Sequence, residues 1–99
     1  MTRWKPPLKA KRDAAEPAIF DALRQHGLSV EPTDKPLDAV VGYGGRTYLV
    51  EVKTGKGKTT AMQDAFFARW RGHAVVLRSV DDAIQFARHV RAEIAPPGA

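Results

Sequence analysis

The chain has 99 residues, 43% of them hydrophobic and 27% charged, and its 16 lysines and arginines outnumber 11 acids for a formal net charge of +5. That length suits one domain with a single modest core, and the absence of cysteine excludes a disulfide scaffold, a thiolate zinc site and a cysteine nucleophile. No apolar run reaches membrane-spanning length and residues 1–12 lack the apolar centre of a signal peptide, so a soluble intracellular protein is expected, and the lack of cysteine is compatible with a reducing cytoplasm.

Residues 1–12 carry Arg3, Lys5, Lys9, Lys11 and Arg12 without an acid, include a proline pair and show no period. They read as a flexible or extended basic arm, either solvated or placed against phosphates or another anionic surface. Trp4 within it docks on the body or stacks on a base. A helix is expected over 13–26, with Asp13 and Glu16 at capping-box spacing, a stripe of Ile19, Phe20 and Leu23, and a stop at Gly27. Pro17 suits a first-turn position. At about 100° per residue Glu16 falls on the apolar stripe, so an acid begins the buried face.

Residues 28–30 read as a short strand or an extended connection, and 31–36 as a turn-rich loop. Strands are expected over 37–41 and 46–53, joined by Gly44-Gly45, because both turn residues can take positive φ. A glycine and lysine loop with Lys56 and Lys58 follows, and Thr60 with Gln63 then opens a helix to Arg71. Its inward face holds Gln63, Phe66, Phe67 and Trp70. The apolar run 74–77 reads as a buried, central strand. Ser79 caps a last helix, with Asp81 and Asp82 in its first turn and Ile84, Ala87, Val90, Arg91 and Ile94 at helical spacing, before Pro96-Pro97-Gly98 ends order. Helices interleaved with a hairpin and a later strand imply an α/β fold with a mixed sheet.

The hairpin fixes a register. With Gly44 and Gly45 central, Tyr43 pairs with Arg46, Val40 faces Leu49, and Asp38 faces Glu51. Alternation then sets Lys53 on the same face as Glu51. A favourable cross-strand pair contributes roughly 0.2–1 kcal/mol, whereas two carboxylates about 5 Å apart repel by roughly 3 kcal/mol at an effective dielectric near 20. A bulge that splays the acids and leaves Lys53 paired with one of them is the bland solution. A divalent cation is the chemical one, because two carboxylates and a backbone oxygen make a hard site suited to magnesium or manganese, with the Lys53 ammonium beside it.

Asp38 followed by Glu51-Val52-Lys53 resembles the PD-(D/E)XK nuclease motif, and the surrounding chain is similar to the small stand-alone VRR-NUC branch of that superfamily, common in phage and bacterial replication and repair. The resemblance runs from about Asp13 to the start of the last helix and rests on the ordered set: a helix with Glu16, a glycine hairpin, the strand end, and a helix carrying Gln63 and aromatics. One departure is that Leu37 precedes Asp38 where the family has proline, with Pro36 one residue earlier.

What the resemblance implies is a restriction-endonuclease-like core of order α-β-β-α-β-α, with an extra short strand at 28–30 allowed, a nuclease domain over 13–95 and a disordered tail over 96–99. It implies a magnesium- or manganese-dependent deoxyribonuclease, an endonuclease rather than an exonuclease, acting on branched or junction DNA as a homodimer in the cytoplasm of a bacterium or phage-infected host. Asp38 and Glu51 would ligate the ion with the Val52 carbonyl, and Glu16 would contribute directly or through water. Lys53 would position water or neutralise the scissile phosphate, and Gln63 would orient the site, unless it only partners Thr60 in the cap. Arg3, Lys5, Lys9, Lys11, Arg12, Lys56 and Lys58 would bind DNA.

Rival sites fit less well. Gly57-Lys58-Thr59 fails the phosphate-loop spacing, because that pattern needs glycine where Val52 stands. His26, His73 and His89 lie on separate elements without metal-binding spacing, and Ser79 already has a capping role. A non-catalytic nucleic-acid-binding module remains the alternative class, but a pure binding face gains nothing from two acids beside phosphate.

Overall fold

In a computed structural model of the chain, which describes residues 12–94, Gly44 and Gly45 adopt φ of 57° and 81°. This left-handed conformation is one that glycine takes without a Cβ penalty. The turn joins β2 (Ala39–Tyr43) to β3 (Arg46–Val52) in the expected register, with Tyr43 opposite Arg46 and Val40 opposite Leu49. Arg3, Trp4, Lys5, Lys9 and Lys11 of the arm, and the tail at Pro96, Pro97 and Gly98, lie outside the described residues.

The remaining elements are α1 (Glu16–Gln25), β1 (Ser29–Pro32), α2 (Ala61–Arg69), β4 (His73–Leu77) and α3 (Val80–Ile94). The strands form one mixed sheet in the order β1-β2-β3-β4, antiparallel except for the parallel β3–β4 pair that α2 connects. The allowed extra strand thus exists, as β1, and the hairpin occupies the two middle positions. Among the described residues no helix is long and apolar enough to cross a membrane.

The core lies between one face of this sheet and the pair α1 and α3. Ile19, Phe20 and Leu23 of α1 and Ala83, Ala87 and Val90 of α3 meet Val30, Ala39, Val41, Tyr48, Val50, Val52 and Leu77. Full burial of each valine, leucine, isoleucine or phenylalanine among them contributes about 1.5–3 kcal/mol. Period-2 alternation therefore turns Leu49, Glu51 and Lys53 to the opposite face. There α2 reaches the sheet, where Gln63 meets Glu51.

Several expectations are corrected. The run 74–77 is not central: β4 ends the strand order, paired only with β3 among the described strands, and of its apolar residues only Leu77 is fully buried. A continuous apolar run is compatible with burial on both faces, but it does not encode a second neighbour. Helix α2 stops at Arg69 and not at Arg71, because Trp70 is already extended, so helical spacing no longer governs that side chain. Trp70 is accordingly 44% exposed, stacked on Phe66 at 5.2 Å, while Phe66 alone of the expected inward face is buried. Arg91, which continues the helical spacing of α3, is exposed and donates to the His26 carbonyl at 2.6 Å, closing the end of α1.

The capping box at Asp13 and Glu16 does not form. Helix α1 begins at Glu16 with Pro17 in its first turn, and its N-cap, Ala15, has no side-chain cap. The Asp13 carboxylate is taken instead by the Thr54 backbone N–H at 2.8 Å and by the Thr54 hydroxyl, across 41 residues of sequence. By contrast Ser79 caps α3, accepting from the Asp82 N–H at 3.0 Å, and Thr60 with Gln63 forms the expected capping box.

Candidate active site

Three carboxylates are buried where the hairpin strands end: Glu16 is 6% exposed, Asp38 4% and Glu51 1%. Taking a carboxylate out of water costs several kcal/mol unless partners compensate. Each therefore has to be explained by what surrounds it.

Asp38 precedes β2 by one residue, held by Leu37, which is fully buried. Its Oδ2 accepts the Val52 backbone N–H at 2.8 Å. That bond joins the start of β2 to the end of β3, and the register extended by one residue sets Asp38 opposite Glu51. The strand expected from residue 37 thus starts at Ala39, because the Asp38 side chain takes the N–H that a ladder carbonyl would otherwise accept.

Glu51 lies in β3 with Lys53 two residues on, and the Lys53 ammonium is 3.5 Å from Glu51 Oε2. The same oxygen accepts from Gln63 Nε2 at 2.8 Å. Gln63 Oε1 meanwhile accepts the Thr60 N–H at 2.9 Å, so one side chain both closes the cap and reaches the acid. Capping of α2 and contact with Glu51 thus coexist in one side chain. Val52, whose carbonyl the family resemblance makes a ligand, is the last residue of β3, its side chain in the core.

Glu16 reaches the same region from the start of α1. Its Oε1 accepts from Arg12 Nε at 2.6 Å, while Oε2 is buried with no hydrogen-bond partner among the described residues. Arg12 extends further: its Nη2 is 3.7 Å from Asp38 Oδ1 and donates to the carbonyls of Thr33 and Asp38 at 3.1 Å each. The guanidinium is held more basic than usual, chiefly by its bond to Glu16, despite partial burial. Sequence charge alone assigned Arg12 to a phosphate-binding arm, and the structure directs it to the acids.

The loop after Lys53 is fixed from two sides. Asp13 holds Thr54, and Arg78 donates to the carbonyls of Lys53 at 3.3 Å and Gly57 at 2.7 Å. The Thr54 hydroxyl and then its N–H keep the Asp13 carboxyl below the usual carboxylate range, with Lys53 adding to the effect. Lys56 and Lys58 are exposed on this loop. Asp13, Thr54 and Arg78 are site-supporting residues that sequence reasoning missed, since their partners are distant in the chain. His73 opens β4 and packs its ring 4.6 Å from Tyr48, and His89 pairs with Glu93 at 3.1 Å, away from the acids.

A donor set made only of carboxylate and carbonyl oxygen suits magnesium or manganese, and the unpartnered Glu16 Oε2 is an oxygen of that kind. Among the described residues no group of three or more His, Cys, Asp or Glu side chains is arranged to hold a metal ion. Between Glu16 and Asp38 the bridging group is Arg12. Comparison of the chain with protein-family models, curated proteins and solved structures gave no match.

Proposed function

We propose that the protein is a magnesium- or manganese-dependent DNA nuclease with a restriction-endonuclease-like core of the PD-(D/E)XK type, cutting branched or junction DNA. The observation that carries the reading is the burial of Glu16, Asp38 and Glu51, with Lys53 3.5 Å from Glu51 and Arg12 between the other two. Apolar residues in their place would stabilise the fold at least as well, so folding gives no reason for such a cluster.

In this reading Asp38 and Glu51 would hold the ion together with the Val52 carbonyl, and Glu16 would contribute directly or through water. A divalent ion held there would supply water activation and stabilisation of negative charge on the phosphate. Asp38 is kept in position by the Val52 N–H, and Glu51 by Gln63. Lys53 offers a cation to the scissile phosphate or orients the water. Asp13 and Arg78 fix the chain just beyond Lys53, so its ammonium is presented from a braced strand end. Exposed Lys56 and Lys58, with the basic arm, give DNA a counter-charge in keeping with a net charge of +5. A homodimer would bring two such centres to two strands, in a bacterial or phage-infected cytoplasm.

One observation favours a second reading, a nucleic-acid-binding module without catalysis: Arg12 already partners both Glu16 and Asp38. Incubating labelled linear, nicked, flap and four-way junction DNA with the protein, with and without magnesium or manganese, separates the two. Products that require metal support the nuclease. Retarded but intact DNA under every condition supports the binding module.

A further inference from the structure

A cleft of about 530 Å³ opens between α2 and the loop before Leu37, lined by Lys35, Pro36, Met62, Gln63, Phe66 and Arg69, with Asp34 and Thr60 completing it. That volume falls within the range of about 300–1,000 Å³ typical of small-molecule sites. Its character is unlike that of the acid cluster: the walls are mainly apolar, and Met62, 73% exposed, is the most exposed large hydrophobic residue described. Phe66 forms a buried part of the lining, with the Arg69 guanidinium 5.4 Å from its ring centroid.

One residue links the cleft to the acid cluster. Gln63 lines it and also donates to Glu51 at 2.8 Å. We propose that this cleft receives one unpaired nucleobase, next to the phosphodiester that the acid cluster engages; the inference rests on the nuclease reading above and names the part of the DNA that it selects.

The occupant follows from the lining. Pro36 and Met62 offer apolar contact to a flat ring without a donor and acceptor code, backed by Phe66, whose ring already packs on Trp70 and Arg69; such a surface suits any base because every base has a π-face. Lys35 and Arg69 outweigh Asp34 in the lining, leaving an excess of positive charge for the flanking phosphates. A paired base within a duplex has both faces stacked and its edge engaged, so it does not enter without unstacking. The cleft therefore selects frayed, flapped or single-stranded nucleotides.

The test uses short DNAs carrying 2-aminopurine either in a single-stranded flap or in a full duplex, bound in EDTA so that no cleavage intervenes. The flap probe should change emission on binding the wild-type protein. Met62→Asp, at a site exposed enough to leave folding unaffected as checked by circular dichroism, should bind the flap probe about fivefold or more weakly, as expected for a lost base contact. Equal affinity of variant and wild type with unchanged emission overturns the proposal. So does a change in oligomeric state of Met62→Asp with the probe signal intact, which makes the cleft an interface between copies. Wild-type cleavage in magnesium, run alongside, keeps the readings apart. Cleavage without a probe response removes the base cleft alone, a response without cleavage upholds the cleft and removes the nuclease, and neither signal removes both.

Discussion

Gln63 donates its side-chain amide to Glu51 at 2.8 Å while its carbonyl oxygen accepts the Thr60 N–H at 2.9 Å. The first residue pair thus ties the start of α2 to the acid on β3. Gln63→Glu separates the two duties. Glutamate is equally good in a capping box, so helix content by circular dichroism should not change. It cannot donate to Glu51 when ionised, and it adds a like charge. Single-turnover DNA cleavage should fall at least about tenfold, corresponding to about 1.4 kcal/mol.

Arg12 is a built-in cation between Glu16 and Asp38. Replacing it with Gln leaves nearly buried carboxylates without that partner, so metal-free stability should fall by about 3 kcal/mol. If the same acids hold a divalent ion, manganese then has less to displace. The gain in Tm on adding manganese should be larger for Arg12→Gln than for the wild type, because a ligand that binds only the folded state stabilises it more the tighter it binds, by an amount that grows with the logarithm of its affinity. Glu16→Gln should act oppositely, raising the metal concentration needed and lowering single-turnover cleavage at least about tenfold. Thermal melts across a manganese titration check both signs.

Asp13 gives the fold an acid-sensitive clamp. Its carboxyl is held low by Thr54, so the clamp's contribution is fully present above the unfolded-state value of about 4 and is lost as pH falls through the lower folded value. Asp13→Asn should therefore be less stable than wild type at neutral pH, and the difference should shrink in acid. Urea denaturation at about pH 7 and pH 3 measures it.

How far the sequence carried this account depends on what each residue's partner was. Asp38, Glu51 and Lys53 were legible because two glycines fixed the turn, the turn fixed the register, and alternation did the rest. Glu16 was legible from helical period alone. Arg12 was not: a charge pattern gives the sign of a residue and not its partner, and twelve residues of basic arm read as uniform. Asp13 had a plausible local partner at capping spacing, while its actual partner, Thr54, lies 41 residues away. The end position of β4 among the described strands was hidden for a related reason, since an apolar run specifies neither strand order nor, with Ala74, Val75 and Val76 only half-buried, full burial.

The central claim is that the buried carboxylates serve metal-dependent phosphodiester cleavage, and single-turnover cleavage of a labelled flap DNA across a magnesium titration tests it most directly. Wild type should cut only with metal. Glu51→Gln and Asp38→Asn, each folded by circular dichroism and still binding DNA, should lose at least about a hundredfold, roughly 2.7 kcal/mol. Near-wild-type cleavage by either variant, or cleavage by the wild type that persists in EDTA, would contradict the account.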